Sequence, residues 1–463
     1  MSSNNILTIE QIIQSENDFF KKYPNKNIMD IAAIKIWKTI EKLIKNRKTL
    51  FVCGSGNNGL DGKKVYELAK KKRNKVNFLD LSNNKKLPKV NNDLNKLLVQ
   101  NEIIVDAIFG IGLNKNVTGI KKKIIQKINL SKKQVISIDI PSGIYADSGE
   151  VRGVAISAKI TLAMGFLKPA HLLLPGKMFC GKIIVIDLGL DPLKRSPNIR
   201  LIDENTVKKN FPSHSIDSHK YVKGNVLVFA GEMSGASRLA ALAARKIGAG
   251  LSTIKVPKKY LKYYSYVEPG TIMIYEKKID FTKYSSIVIG PGLGENFEKK
   301  KILKNLHNLL PTVVDADALS LFKSSPKTLF SVLKKRKKSV LTPHHGEFNK
   351  IFDFKKVDKV NLAIKASKLT SSIIVYKGND TVIACPNGNV WINNNAKKSL
   401  ATAGTGDILS GLIAGILSQK VNLEIAVVIA VWIHGKLSHN SNNVIVEDFI
   451  REIPKVVETI NNN

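Results

Sequence analysis

The chain has 463 residues, too long for one ordinary domain and suited to two or three, and its 43% hydrophobic content is enough for globular cores. It carries 73 basic and 37 acidic residues, a net charge of +36, a balance that would suit a nucleic-acid partner. The lysines, however, run through the whole chain in short groups such as Lys121-Lys122-Lys123 and Lys334-Lys335-Arg336-Lys337-Lys338, beside abundant Asn and Ile; this is the pattern of a compositional bias and a solvated surface, and no nucleic-acid partner is expected.

Residues 8–48 read as helical, with apolar positions near a turn apart, among them Ile28, Ile31 and Ile34. A strand at 49–53 runs into the turn Gly54-Ser55-Gly56-Asn57-Asn58-Gly59-Leu60-Asp61-Gly62, then a helix at 63–72 and a strand at 76–81. Strand, glycine-rich turn and helix form a phosphate-binding βαβ unit, and the glycines satisfy GxGxxG with Asp80 about where a ribose-binding acid would stand. That pattern is weakly specific. It leaves Asn57, Asn58 and Asp61 unexplained: two amides and a carboxylate that offer oxygens to a cation and hydrogen bonds to a polar ligand.

Three more continuously apolar strands follow, as parallel strands covered on both faces must be. One at 103–109 carries Asp106 and leads into Gly110-Ile111-Gly112; one at 135–140 carries Asp139 and leads into Pro141-Ser142-Gly143; one at 160–166 leads to Lys168-Pro169. Ligand groups of open α/β sheets gather at the carboxyl ends of strands, so Asn58, Asp106, Asp139 and Ser142 are expected to converge. Buried acids there are costly unless a cation or ligand occupies the centre.

The segments GSGNNGLDG, VDAIFGIGL and IDIPSG, in that order and spacing, resemble the N-terminal epimerase domain of the NAD(P)H-hydrate repair enzymes over residues 8–195. The resemblance implies that Asn57, Asn58, Gly59, Leu60 and Asp61, with Gly110, Ile111, Gly112, Leu113, Asn114, Lys115 and Asn116, hold the hydrated dinucleotide. It implies further that Asn58, Asp106 and Ser142 hold a potassium ion and that Asp139 contacts the reacting ring as a catalytic residue. Leu60 stands where the family usually has a second glycine.

Residues 191–222, with Pro192, Pro197 and Pro212 and few periodic apolar positions, read as a connector, and the domain boundary is placed near 200. Strand and helix then alternate again. Strands at 225–229, 251–256, 286–289, 312–314, 340–341 and 373–376 end in polar or glycine-bearing turns, a helix is expected at 237–247, and a hairpin turns at Pro386-Asn387-Gly388. Next comes ATAGTGDILSG: small residues and glycines before an apolar helix expose unpaired N–H groups at its positive end, a site suited to a phosphate, with Asp407 in its midst. The bland reading of Asp407 is a helix cap, and that of His344, after Thr342-Pro343, a capped turn. Both gain interest because Asp317, His344, Lys377 and Asp407 fall at corresponding strand ends.

The ordered set GNVLVFAG, VIGPGLG, VDADAL, TPHHGEF, VYKGNDTVI and ATAGTGDILSG is similar to the second half of the same enzymes, the ADP- or ATP-dependent, ribokinase-like dehydratase domain, over 205–455. By that resemblance Lys377, Gly378, Asn379, Asp380, Thr381 and Gly406 bind the adenine nucleotide, accompanied by Mg2+. Ala236, Gly294, His344 and Asp407 bind the substrate, with Asp407 the catalytic base. The expected architecture is α/β in two domains: a Rossmann-like parallel-sheet domain at 1–200 for epimerisation and a ribokinase-like α/β domain at 201–463 for dehydration. The implied partners are hydrated NADH or NADPH and ADP or ATP, the choice of nucleotide being open, and a homo-oligomer is compatible with such domains. A vitamin-precursor kinase fused to a nucleotide-binding domain is the competing reading.

Three widely spaced cysteines, Cys53, Cys180 and Cys385, form no CxxC, which argues for a reducing compartment and against zinc. No basic region followed by an apolar core opens the chain, and the strongest apolar run, at 425–433, is far short of the ~20 residues that span a bilayer. A soluble, cytoplasmic protein with no membrane partner is expected.

Overall fold

The computed structural model describes residues 4–82, 93–192, 197–213, 222–275, 278–355, 357–439 and 444–461. They form two compact units, Met1–Arg195 and Ser196–Asn463. Parts of the expected connector, 193–196 and 214–221, lie outside the described residues.

The first unit opens with a short strand β1 (Asn5–Ile6) and the helix Ile9–Lys22, whose start is fixed by a reciprocal Thr8–Gln11 capping box. The helix Ile28–Ile44, capped by Asn27, follows. Its sheet contains β2 (Thr49–Cys53), β3 (Val76–Asp80), β4 (Ile103–Ala107), β5 (Gln134–Ile138), β6 (Ile160–Met164) and β7 (Lys182–Ile186). The strands lie in the order β3-β2-β4-β5-β6-β7, and every pairing is parallel. β2 and β4 are buried along their whole length. The chain runs from β2 outward to β3 and then returns to lay β4 on the other side of β2, so the crevice between the carboxyl ends of β2 and β4 is a topological switch point.

The helix after β2 is Asn57–Lys71, six residues longer at its start than the sequence suggested. Most of the glycine-rich stretch is therefore the helix's first turns. Packing is the reason. A Cβ on Gly59 would fall 1.9 Å from Gly54 O, and one on Gly62 would fall 2.5 Å from Ala107 Cβ and 2.7 Å from Cys53 Sγ. Only glycine lets the helix press this closely onto the strand ends.

In the second unit the strands are β8 (Asn198–Leu201), β9 (Asn225–Phe229), β10 (Leu251–Lys255), β11 (Ile272–Ile274), β12 (Ser286–Ile289), β13 (Thr312–Val314), β14 (Ser339–Leu341), β15 (Ile373–Tyr376), β16 (Val382–Ala384) and β17 (Asn389–Ile392). They lie in the order β8-β17-β16-β15-β14-β13-β12-β9-β10-β11. β15, β16 and β17 are joined antiparallel; the expected hairpin is the middle of this run. Here the switch point lies between β9 and β12. β8 and the helix Glu204–Asn210 occupy part of what had read as a plain connector. The helix Thr405–Ser418 is apolar on nearly every side and lies against Ser234–Lys246. Gly411 and Gly415 allow this contact, since a Cβ on either would fall 2.2 Å from Ala240 O or 2.6 Å from Ala244 O.

A stretch of this unit does mix basic and aromatic residues: Lys258, Lys259 and Lys262 stand among Tyr260, Tyr263, Tyr264 and Tyr266. Tyr264 is nevertheless core, its hydroxyl bonded to Ser237 Oγ at 2.8 Å and donating to Gly231 O at 3.1 Å. The three cysteines are buried and unpaired. Among the described residues no helix is long and apolar enough to cross a membrane.

Candidate functional site

Polar groups collect at the carboxyl ends of the strands in both units. In the first unit Asp106, at the end of β4, is fully buried and accepts four bonds: from Ile108 N at 3.3 Å, Ser137 Oγ at 2.8 Å, Ser142 N at 2.9 Å and Ser142 Oγ at 2.6 Å. Burial still pushes its carboxyl upward against these donors. Asn58 reaches across from the helix, and its Nδ2 donates to Phe109 O at 2.9 Å and Ile138 O at 3.2 Å. Ser142 Oγ accepts from Phe109 N at 2.8 Å. The structure thus brings Asn58, Asp106 and Ser142 together around the Phe109 peptide.

Asn58 Oδ1 is buried and accepts no hydrogen bond. A bare, buried amide oxygen suits a monovalent cation, which takes oxygen donors. Asp106 fits less directly, since both its oxygens are engaged by protein donors; its charge rather than a vacant lone pair is what it would lend. Among the described residues no cluster of three His, Cys, Asp or Glu side chains could hold a metal ion.

Asp139 lies close by. A Cβ on Gly110 would fall 3.0 Å from Asn58 Cβ and 3.4 Å from Asp139 Oδ2, so Gly110 leaves open the space the two residues share. Asp139 has φ +67°, an uncommon conformation for a side-chain-bearing residue and one found where function requires it. Its Oδ1 accepts from Lys168 Nζ at 2.5 Å, a buried ion pair. His171 Nδ1 accepts from Lys168 N at 3.0 Å, so its Nε2 carries the proton and donates to Asp139 O at 2.9 Å. Burial pushes the His171 imidazole down to about 4, which keeps it neutral. Lys168 and His171 were not singled out from sequence. Two acids face this region as well: burial, with Asp139 nearby, pushes Asp61 up to about 7 and raises Glu16. Asp61 Oδ1 has no donor.

Of the other residues expected to hold the dinucleotide, Gly110 and Ile111 are half-buried, Leu113 is buried, and Gly112, Asn114, Lys115 and Asn116 are exposed, open to a ligand. Leu60 is exposed and lines a groove with Met29, Ala33 and Ile34 of the Ile28–Ile44 helix. Its side chain therefore lies on the outer flank, and the turn around it is ordinary helix. Asp80 accepts from Ser82 N at 2.8 Å, which occupies it as a turn residue.

In the second unit Gly404, with φ +89°, precedes Thr405, Gly406 and Asp407 at the start of the Thr405–Ser418 helix. Under this turn lies Lys377. Its Nζ is 2.8 Å from Asp315 Oδ1 and 3.7 Å from Glu347 Oε2, and 3.3 Å from where a Cβ on Gly406 would be. Burial opposes the charge on Lys377, but Asp315 and Glu347 outweigh it and raise its proton affinity. Asp315 also accepts from Ser410 Oγ at 2.7 Å. Burial, then the charge of Asp315, pushes Asp407 up to about 7. A carboxyl that titrates near neutrality beside exposed helix N–H groups is equipped to take a proton from a hydroxyl.

Neighbouring loops complete the site. Asp317 Oδ2 accepts from Gly294 N at 2.9 Å, and the β9 and β12 loops meet where Met233 N donates to Gly292 O at 3.0 Å, with Ala236 at that junction. His344 is the N-cap of the helix His345–Ile351: its Nδ1 accepts from Gly346 N at 2.9 Å and Glu347 N at 3.4 Å, and its N donates to Glu347 Oε2 at 2.9 Å. It is a capping residue whose exposed ring has its Nε2 3.6 Å from Glu347 Oε1. In the KGNDT turn, Gly378 and Asn379 are exposed, Thr381 Oγ1 donates to Gly378 O at 2.7 Å, and Asp380 is paired with Lys359 at 2.5 Å. Asp315, Glu347 and Lys359 were not anticipated. Asp315 and Glu347 stood inside quoted motifs, but nothing in the sequence marked them as partners of Lys377.

A sequence family described as NAD(P)H-hydrate dehydratase matches residues 226–451, and one described as YjeF-related protein N-terminus matches residues 64–170. The bifunctional NAD(P)H-hydrate repair enzyme Nnr of Dictyoglomus turgidum is 31% identical over 516 aligned residues, covering 98% of each chain. That of Coxiella burnetii is 33% identical over 418, covering 82% of this chain and 83% of its own. Among solved structures, a ribokinase-like superfamily protein from Enterococcus faecalis superimposes with a TM-score of 0.50 at 23% identity, over 58% of this chain and 99% of its own, a likeness of fold.

Proposed function

Because the chain belongs to the family of bifunctional NAD(P)H-hydrate repair enzymes, we propose that it returns hydrated NADH and NADPH to use: the first unit exchanges the R and S epimers, and the second dehydrates the S form at the expense of ADP or ATP. The observation that carries this reading is the pairing of two separate polar sites, one around Asp139 and one around Asp407, each at the carboxyl ends of the strands of its own sheet.

Hydroxide leaves an alcohol slowly, so the hydroxyl must first be activated by protonation or phosphorylation. In the second unit Asp407 takes the hydroxyl proton, and the N–H groups from Gly404 to Gly406 stabilise the charge on a moving phosphoryl group. Lys377, held by Asp315 and Glu347, adds positive charge under that turn. Gly378, Asn379, Asp380 and Thr381 bound the adenine nucleotide, whose phosphates bring Mg2+ with them, while Ala236, Gly294 and His344 bound the hydrate. In the first unit Asn58, Asp106 and Ser142 would hold potassium, which supplies a fixed positive charge beside the dinucleotide. Asn57, Asn58, Gly59, Leu60 and Asp61, with residues 110–116, would bound the dinucleotide itself.

The test is to incubate the protein with a mixed-epimer NADH hydrate and ADP or ATP and follow the dihydronicotinamide absorbance. Full recovery is expected with nucleotide and none without it. Accumulation of a phosphorylated product with no return of absorbance would overturn the reading.

A further inference from the structure

Three carboxyl groups from three elements act on one another at the first site: Glu16 from the helix Ile9–Lys22, Asp61 from Asn57–Lys71 and Asp139 from the turn after β5. Burial first, and then the charge of Asp139, raises the proton affinity of both others, and that of Glu16 adds to the effect on Asp61. Three such groups cannot all stay ionised in one buried place without compensation. Lys64, the cation that acts on Asp61, is itself 2.5 Å from Asp30. Among the described residues the ammonium in ion-pair contact with one of the three is Lys168, 1% exposed and bonded to Asp139 Oδ1 at 2.5 Å and Met164 O at 2.6 Å.

The two residues are tied twice. Side chain meets side chain at Asp139 Oδ1, and backbone meets backbone through the neutral His171 ring, which accepts from Lys168 N and donates to Asp139 O. This second link pins the carbonyl of the residue with φ +67°, an unfavourable conformation that must be held by its surroundings. With Oδ1 taken by Lys168, the oxygen left toward Gly110 and the bare Asn58 Oδ1 is Asp139 Oδ2.

We propose that Lys168 is a positioning residue for epimer exchange: it fixes which oxygen of Asp139 faces the substrate, with His171 locking the turn that carries them. This rests on the reading of Asp139 as the group that meets the reacting ring. Epimer exchange inverts the ring carbon that bears the hydroxyl: as Oδ2 takes the hydroxyl proton, the bond from that carbon to the ring nitrogen breaks to leave an aldehyde and an anionic nitrogen, the nitrogen closes onto the other face of the aldehyde, and the proton returns to the new alkoxide; Lys168 keeps its own protons, and no co-reactant is consumed.

The test uses the full chain and follows R-to-S exchange apart from dehydration of the S form, which the second unit performs and which serves as the internal control. Lys168→Met should lower kcat for exchange by about 100-fold or more, leave KM within about threefold and leave dehydration unchanged. In Lys168→Ala, ethylammonium should restore part of kcat in a saturable manner, an effect a merely structural lysine would not give. If Lys168→Met yields no measurable KM, Lys168→Arg decides: exchange at a tenth of wild type or better supports the role. Near wild-type kcat in Lys168→Met overturns the proposal, as does loss in Lys168→Arg with an unaltered thermal transition. Absence of exchange in the unaltered protein would instead refute the reading of the first unit.

Discussion

Lys377 Nζ lies 2.8 Å from Asp315 Oδ1, and the same carboxylate accepts from Ser410 Oγ at 2.7 Å through its other oxygen. One aspartate after β13 thus joins the lysine after β15 to the helix that carries Asp407. Breaking a buried ion pair from one side costs about 3–5 kcal/mol where the other charge is left alone, and here Lys377 would keep only Glu347, at 3.7 Å. Asp315→Asn should therefore lower the thermal transition of the second unit clearly and reduce dehydration, while Asp317→Asn, whose partner is a single backbone N–H, should cost less. Equal melting temperatures for the two variants would show that the pair carries no such weight.

Much of this is legible in the sequence. Continuously apolar strands ending in glycines and acids mark a parallel sheet and its carboxyl edge, and Asn58, Asp106, Asp139 and Ser142 do meet there. What sequence could not show is which groups are spent on one another. Lys168 follows a strand like many lysines in a chain of +36, and composition hides it among them; only the turn conformation at Asp139 and the buried His171 ring bring it to the carboxylate. The helix start at Asn57 was misjudged for a similar reason: glycine weakens a helix by local propensity, while here close packing on Gly54 and Ala107 demands it.

Asp407→Asn should abolish dehydration and leave epimer exchange intact. The substitution preserves shape and hydrogen-bonding capacity at the helix start but removes the base, which lowers the rate by roughly 100-fold or more. Rates of both reactions in one sample decide it; dehydration near the wild-type rate would remove Asp407 from the role proposed.

Dehydration should depend on pH through the same group. Burial and the neighbouring Asp315 raise Asp407 to about 7. A base works only when deprotonated, so kcat/KM should climb as pH rises toward neutrality and level off above it. A profile that is flat across this range, or one that falls as pH rises toward 7, contradicts the assignment.

Epimer exchange should require a small monovalent cation. Asn58 Oδ1 is buried without a donor, beside a carboxylate whose burial disfavours its charge, and a potassium ion would relieve both conditions. Exchange should be faster in potassium than in tetramethylammonium at equal ionic strength, and Asn58→Leu should remove the difference. Equal rates in both salts would count against the site.

The two units should work apart and complement each other. Each encloses its own apolar core: Phe51, Val105, Ile136 and Leu162 lie in one, Val228, Val313, Leu412 and Ile429 in another. Each is long enough to bury such a core by itself. A fragment of residues 1–195 should fold and exchange epimers without nucleotide. A fragment of 196–463, cut ahead of β8 because that strand pairs with β17, should restore NAD(P)H only until the S form is exhausted. Mixing the fragments should carry recovery to completion, since exchange feeds the epimer being consumed. The end-point of recovered absorbance on a mixed-epimer sample reads this directly. If the second fragment alone consumes the whole sample faster than uncatalysed epimerisation allows, the first unit is not an epimerase and the division of labour fails.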